Sequence, residues 1–312
     1  MSLPVGVLGG GSFGQALARS SARAGQKVVL WSRRELSLPE SSITCTTDLG
    51  RLAEAELLLF AVPSPYMSDL ADAVGRHLDG SHLLVHVSRG LVGDELTTVS
   101  EVLGARTPCR RVGALGGPLV ARGLDAGEPG GAIIGSAFPE VIESVSEALG
   151  GARLRVYGTD DIMGVEIASA LVGMVTLALG YAQCLGLGPG TLAVLGTRGL
   201  AEATRVGEVR GARARTFAGL AGAGDLLAAV TGDGRPELEF GTALGEGLDV
   251  EAAAKRAGAY IEGTDLAGYV SAFGLRYGVQ VPIADGLARL IKGEISVAQL
   301  TEALMTRPAK RE

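Results

Sequence analysis

The stretch VGVLGGGSFGQALA, residues 5 to 18, decides the fold. A short apolar run that reads as a strand leads straight into Gly9, Gly11 and Gly14 at GxGxxG spacing, and SFGQALARSSARAG then carries a helical pattern. Glycine serves such a loop in three ways: it permits the tight turn, it lets a pyrophosphate approach the backbone, and it lets helix and sheet pack closely. The anion would rest on the helix N-terminus, where N–H groups are free. A Gly-rich turn without a ligand can share these letters, so the order of strand, loop, helix and second strand carries the reading.

Working outward, further apolar runs follow at 27–31 (KVVLW), 56–63 (ELLLFAVP) and 82–88 (HLLVHVS), with strand candidates at 111–115, 131–135 and 153–157. Continuous apolar strands separated by helical patterns predict a doubly wound parallel sheet covered on both faces. After Asp160 the chain turns to long Ala- and Leu-rich segments of helical period, which predicts an all-α second domain. The expected division is a dinucleotide-binding domain over residues 1–158 and a helical substrate and dimerisation domain over 159–312, as suits a chain too long for one core. No repeat or low-complexity linker interrupts it, and the final RPAKRE is the sole charged tail.

Bulk properties narrow the partners. A net charge of −6 with no basic stripe in either half argues against nucleic acid. Cys45, Cys109 and Cys184 are odd in number and lack CxxC spacing, so no metal site is expected and a reduced cytoplasm fits best. The uncharged run from Ile167 to Thr197 is long enough to cross a bilayer, but Gly186, Gly188, Pro189 and Gly190 break it. A buried core helix is the expectation, because such helices are apolar all round.

At the end of the second strand, where an acidic residue would hold the ribose 2′-hydroxyl of NAD, the sequence reads Trp31, Ser32, Arg33, Arg34. Arginine beside a serine hydroxyl suits the 2′-phosphate of NADP. Glu35 follows and could take the acidic role, so NADP or NAD remains open with NADP preferred.

Several stretches together resemble the NAD(P)-dependent glycerol-3-phosphate dehydrogenases: GGGSFGQALA with VVLWSRR, TTDL, AVPS, GGP at 116–118, DIMGVEIASAL, TRGLAE, TFAGLAGAGDL, FGTALGEG and IEG at 261–263. The resemblance implies a cytoplasmic homodimer that reduces dihydroxyacetone phosphate, a small phosphorylated substrate, in the cleft between two domains. It also implies site roles: Ser12 and Phe13 at the cofactor phosphates, Arg33 at the adenosine end, Ala121 on the dinucleotide, Glu262 on the nicotinamide side, Asp225 and Gly117 at the substrate.

The catalytic positions depart from that pattern. Arg89 and Gly90 stand where the family has lysine and glycine, and Val172 and Gly173 where it has the catalytic lysine and asparagine. The only lysines are Lys27, Lys255, Lys292 and Lys310, so no shift of register supplies one. The family's phosphate grip of serine, arginine and asparagine falls on Arg235, Pro236 and Glu237, and a hydroxyl position falls on Leu119. Hydride addition to a ketone needs a proton or a positioned cation at the oxygen, and valine offers neither. Arg89 keeps a charge that could hold a phosphate, but guanidinium donates no proton near neutral pH. His77, His82 and His86 fall on the third helix and fourth strand and read as core or surface residues.

Three functions follow. One is an oxidoreductase with weak or absent activity on dihydroxyacetone phosphate, its carbonyl polarised by another group such as Arg89 with Asp225 on a changed substrate. The second is a pseudo-enzyme that keeps the dinucleotide pocket for regulation or protein interaction. The third is glycerol-3-phosphate dehydrogenase activity itself.

Overall fold

The computed structural model describes residues 3–296 except residue 233, together with 299, 300, 302, 303 and 306, so RPAKRE lies outside the described residues. An eight-stranded sheet fills the first half in the order β3-β2-β1-β4-β5-β6-β7-β8. Its strands are β1 (Val5–Leu8), β2 (Val28–Trp31), β3 (Ile43–Thr46), β4 (Leu57–Phe60), β5 (Leu83–His86), β6 (Val112–Gly116), β7 (Gly130–Gly135) and β8 (Leu154–Thr159). Helices α1 (Ser12–Arg23), α4 (Ala121–Ala126) and α5 (Pro139–Leu149) cover one face, and α2 (Met67–Gly75) and α3 (Val99–Arg106) the other.

Alternation along the strands produces the two layers. Val5, Val7, Leu57, Leu59, Leu83 and Val85 join the core under α1 and α5, while Leu8, Leu58, Phe60 and Leu84 join the core under α2 and α3. Side chains of a strand point alternately to its two faces, so a strand apolar at every position must be covered twice.

The structure departs from the expected sheet in two places. Strand β3 escaped the sequence reading because ITCT is short, mixed in polarity and buried fully at Ile43 alone. Its presence makes the histidine-bearing strand the fifth: His77 lies just beyond α2, His82 just before β5, and His86 ends β5. The sheet is also not wholly parallel, since β6 and β7 pair antiparallel while every other neighbouring pair is parallel. The link between β6 and β7 holds only the short α4, which packs on α1 and returns the chain at the same end of the sheet.

The second half is helical: α6 (Ile162–Cys184), α7 (Pro189–Val209), α8 (Ala214–Phe217), a π-helical turn at Leu220–Gly224, α9 (Asp225–Thr231), α10 (Pro236–Gly245), α11 (Val250–Ala257), α12 (Gly263–Tyr277) and α13 (Pro282–Ile291). The long apolar run breaks at 185–188, between α6 and α7. Helix α6 is buried on all sides, from Gly164 through Leu177 without interruption, and α7, α10 and α12 pack around it. It is the core of this half. Asp161 caps it, accepting from the Gly164 N–H at 3.1 Å, and also accepts from the Arg213 N–H at 3.0 Å and the Thr216 hydroxyl at 2.5 Å.

Glu166, one turn into α6, ties the halves together. Its Oε1 lies 2.7 Å from His86 Nε2 and accepts from the Ser100 N–H at 2.8 Å, while its Oε2 accepts from the Ser100 hydroxyl at 2.6 Å. Both His86 and Glu166 are buried.

Candidate active site

The carboxyl ends of β1, β4, β5 and β6 open onto a cleft of about 290 Å³ closed on the far side by the helical half. Strand order reverses between β2-β1 and β4-β5, and such a switch point splays the following loops apart to leave a crevice.

The phosphate loop sits at one end. Gly9 has φ +125°, the left-handed side that side chains avoid, and a Cβ there would run into the carbonyl of Ala61. A Cβ on Gly14 would run into the carbonyl oxygen of Gly9, so the loop and α1 are pressed together. Gly11 differs: a Cβ there meets nothing within 4 Å, and no side chain caps the first turn of α1. Free N–H groups thus face open space, the geometry a pyrophosphate requires, and the residues present fit a dinucleotide. Ser12 and Phe13 line the cleft beside the loop. Beyond it Ser32 lies against Gly10, and the exposed Arg33 sits over the Tyr66 ring with its guanidinium carbon 5.6 Å from the centroid.

At the opposite end two arginines from different domains converge on one carboxylate. Asp225, first residue of α9, is fully buried and does not itself line the cleft. Arg235 Nη2 donates to its Oδ1, and Arg89 Nη1 lies 2.8 Å from its Oδ2 without the alignment of a hydrogen bond. Arg89 Nε lies 3.2 Å from Glu237 Oε1, again as an ionic contact only. Burial works against both guanidinium charges, but at Arg89 the attraction of Asp225 and Glu237 outweighs it and raises the pKa. At Arg235 burial and the neighbouring Arg89 prevail, and its pKa is lowered.

Helix α6 supplies the remaining wall. Ser169 lines the cleft, and one turn on stand Val172 and Gly173, three and four residues further, on the same face. A Cβ on Gly173 would lie 3.5 Å from Glu237 Oε1 and 3.7 Å from Arg89 Nε, so this face abuts the arginine cluster. Val172 is 1% exposed and adds no polar group.

Between the two ends lies Glu262. Its Oε1 accepts from the Ser64 N–H at 3.1 Å and its Oε2 from the Ser64 hydroxyl, above Gly90. Burial is the main influence on this carboxyl and pushes its pKa above the ordinary glutamate value, against the pull of Ser64 and Arg89.

The cleft therefore gathers Ser12, Phe13, Arg89, Gly117, Ala121, Arg235 and Glu262 from the sequence-derived set; Gly9, Gly11 and Gly14 form its loop, and Asp225 stands behind the arginines. Ser32 and Arg33 lie beyond its rim. Ser169 and Tyr260 line the site, and Ser64 holds Glu262 from behind, without having been assigned a role. Ser64 sits in the AVPS stretch just past β4, a position at the switch point that could have marked it. Nothing local marks Ser169 within a long apolar helix.

Comparisons with known proteins agree with this architecture. The family model described as NAD-dependent glycerol-3-phosphate dehydrogenase N-terminus matches residues 4–40 and 34–141, and the corresponding C-terminus model matches 161–302. The chain is 34% identical over 324 residues to glycerol-3-phosphate dehydrogenase [NAD(P)+] 1 of Sphingopyxis alaskensis, covering 98% of this chain and 97% of that one. It is 35% identical over 320 residues to glycerol-3-phosphate dehydrogenase [NAD(P)+] of Ectopseudomonas mendocina, covering 97% and 94%. Among solved structures, the glycerol-3-phosphate dehydrogenase of Coxiella burnetii superposes with a TM-score of 0.90 at 29% identity, covering 98% of this chain and 99% of that one.

Proposed function

The chain belongs to the NAD-dependent glycerol-3-phosphate dehydrogenase family, and from that premise we propose that it binds NADP in preference to NAD but reduces dihydroxyacetone phosphate slowly or not at all. The family's use of NAD(P) and the open phosphate loop support the cofactor; Arg33 beside Ser32 supports the preference. Bound in the cleft, a nicotinamide would supply the hydride that a carbonyl carbon accepts.

One observation carries the low activity: the arginine pair at the substrate end is already engaged by Asp225 and Glu237, and the adjoining face of α6 offers only Val172 and Gly173. A developing alkoxide needs a proton or a positioned cation, and the loss of one such group typically costs about a hundred- to ten-thousand-fold in rate. Arg89 can stabilise charge but donates no proton at neutral pH. The phosphate of the substrate would also meet guanidinium groups whose charge is spent inside the protein.

A second reading, a pseudo-enzyme that uses bound dinucleotide for regulation or interaction, is favoured by the contrast between an open cofactor loop and a self-neutralised substrate end. Family resemblance further supports a cytoplasmic homodimer. The end of β8 at Thr159 and the start of α6 at Ile162 support the division near residue 159. Calorimetry with NADH and NADPH followed by turnover of dihydroxyacetone phosphate tests the reading. Binding without turnover bears it out; turnover at about 1 per second or faster, ordinary for enzymes, overturns it.

A further inference from the structure

Of the two carboxyls that line the cleft, Glu237 is paired with Arg89, while Glu262 forms no ion pair among the described residues. The charged and titratable groups around Glu262 are already engaged: Arg89 lies against Asp225 and Glu237, His86 against Glu166, and the Tyr260 hydroxyl donates to Asp265 at 2.7 Å. What holds Glu262 is neutral. The Ser64 N–H and hydroxyl donate to its two oxygens, and Gly90 closes another side, since a Cβ there would collide with both Glu262 Oε2 and Ser64 Oγ. Charges drawn out of water are ordinarily paired, so a half-buried carboxylate fixed in this way is suited to a cationic group on a ligand. A carboxylate has about four acceptor sites, and Ser64 uses two of them.

Position narrows what that cationic group is. Ser12 and Phe13 mark the phosphate end of the cleft, and Arg89 with Arg235 the substrate end. A nicotinamide that delivers hydride to the substrate end has to occupy the stretch between them, which is where Glu262 stands. Nicotinamide is a pyridinium cation when oxidised and a neutral ring when reduced, whereas the pyrophosphate and adenosine are the same in both forms. A carboxylate at that end of the cleft therefore attracts one redox form and not the other.

We propose that Ser64 is a positioning residue: it holds the Glu262 carboxylate as the fixed counter-charge of the oxidised nicotinamide and so biases the cleft towards the oxidised dinucleotide. The proposal rests on the reading of the cleft as a dinucleotide site.

Calorimetry on the full-length protein, across neutral pH, compares the affinities for NADP+ and NADPH in the parent, Glu262→Gln and Ser64→Ala, with the melting temperature of each variant as a check on folding. Glu262→Gln keeps the shape and an acceptor but no charge. It is expected to shift the ratio of the two affinities about tenfold towards the reduced form, as the loss of one partly screened charge pair does. In Ser64→Ala the carboxyl loses a hydrogen bond to its charged form and is more easily protonated, so the same shift is expected to be larger at about pH 6 than at about pH 8. A hydroxyl with a merely structural role would weaken both dinucleotides by one factor at either pH. That outcome overturns the proposal, and so does an unmoved ratio in Glu262→Gln, which carries the test by itself if Ser64→Ala fails to fold. Failure of the parent to bind either dinucleotide brings down the reading of the site as well; binding of both with an unmoved ratio removes the proposal alone.

Discussion

Arg89 Nη1, just beyond β5, stands 2.8 Å from Oδ2 of the buried Asp225 at the head of α9, so the two domains meet through an ion pair at the floor of the cleft. Arg235 completes the cluster from the other side. Replacing Asp225 with asparagine leaves the buried Arg235 and the half-buried Arg89 facing each other with too little counter-charge. Breaking a buried pair in this way typically costs about 3–5 kcal/mol. Urea unfolding of Asp225→Asn should show a loss of that order; a change within about 1 kcal/mol would show that the cluster is better solvated than its burial implies.

The two glycines of the phosphate loop should separate binding from folding. A Cβ at Gly11 meets nothing within 4 Å, whereas one at Gly14 runs into the Gly9 carbonyl oxygen. Gly11→Val is therefore expected to keep the parent's melting temperature and lose dinucleotide binding, while Gly14→Ala loses stability. The sole tryptophan, Trp31 at the end of β2, reports binding by energy transfer to reduced nicotinamide. Undiminished binding by Gly11→Val would move the dinucleotide elsewhere.

Arg33 stacks on Tyr66 outside the cleft and forms no ion pair among the described residues. Its removal should weaken NADPH by about tenfold more than NADH, because hydrogen bonds to a charged phosphate are worth about 1.5–3 kcal/mol. Calorimetry of Arg33→Ala with both cofactors checks this, and equal losses would show that the arginine reads no 2′-phosphate.

The double variant Val172→Lys, Gly173→Asn should not recover ordinary turnover of dihydroxyacetone phosphate. A Cβ at position 173 is tolerated, lying 3.5 Å from Glu237 Oε1, but the carboxamide beyond it meets the cluster of Glu237 and Arg89. The lysine, however, would enter a position 1% exposed, and burying an ammonium shifts it towards the neutral amine. Phosphate would still lack a free cation. Steady-state rates of parent and variant decide the matter, and recovery to about 1 per second would place the whole defect at residues 172 and 173.

Glu262 makes a prediction about pH. Its folded pKa is raised by burial, so the ionised form costs the folded state free energy that the unfolded chain does not bear. Stability is accordingly full below the ordinary glutamate value of 4.5 and falls as pH climbs through the raised folded value. Glu262→Gln keeps an acceptor for the Ser64 N–H but cannot ionise. Its stability relative to the parent should grow as pH rises from about 4.5 towards neutrality. A difference independent of pH would mean that Ser64 and Arg89 offset the burial completely.

The sheet and the phosphate loop were legible in the sequence because both rest on local pattern. Apolar runs, glycine spacing and helical period fix most strands and the loop before any long-range contact is known. Strand β3 was not legible, since ITCT gains its place from pairing with β2 and carries little signal of its own. The reversal between β6 and β7 is likewise set by how a short helix packs on α1, a tertiary fact. At the site, the missing lysines could be counted directly. The engagement of Arg89 by Asp225 and Glu237 could not, because it joins residues 136 and 148 positions apart in the chain. Arg89 looked from the sequence like an anion holder; its neighbours in space are already anions.

The buried contact of Glu166 with His86 and Ser100 has a mechanical consequence for traffic through the cleft. Swinging the helical half away from the sheet like a clamshell would pull that carboxylate off its three donors in the dry interior, at a cost on the order of several kcal/mol. The rim presents a far smaller obstacle: Tyr66 and Tyr260, each about half exposed, meet edge to face across the mouth with ring centres 6.4 Å apart. Moving them would break only surface contacts, the Tyr260 hydroxyl on Asp265 and Arg33 on Tyr66. A ligand would therefore meet less resistance at the rim than in parting the two halves.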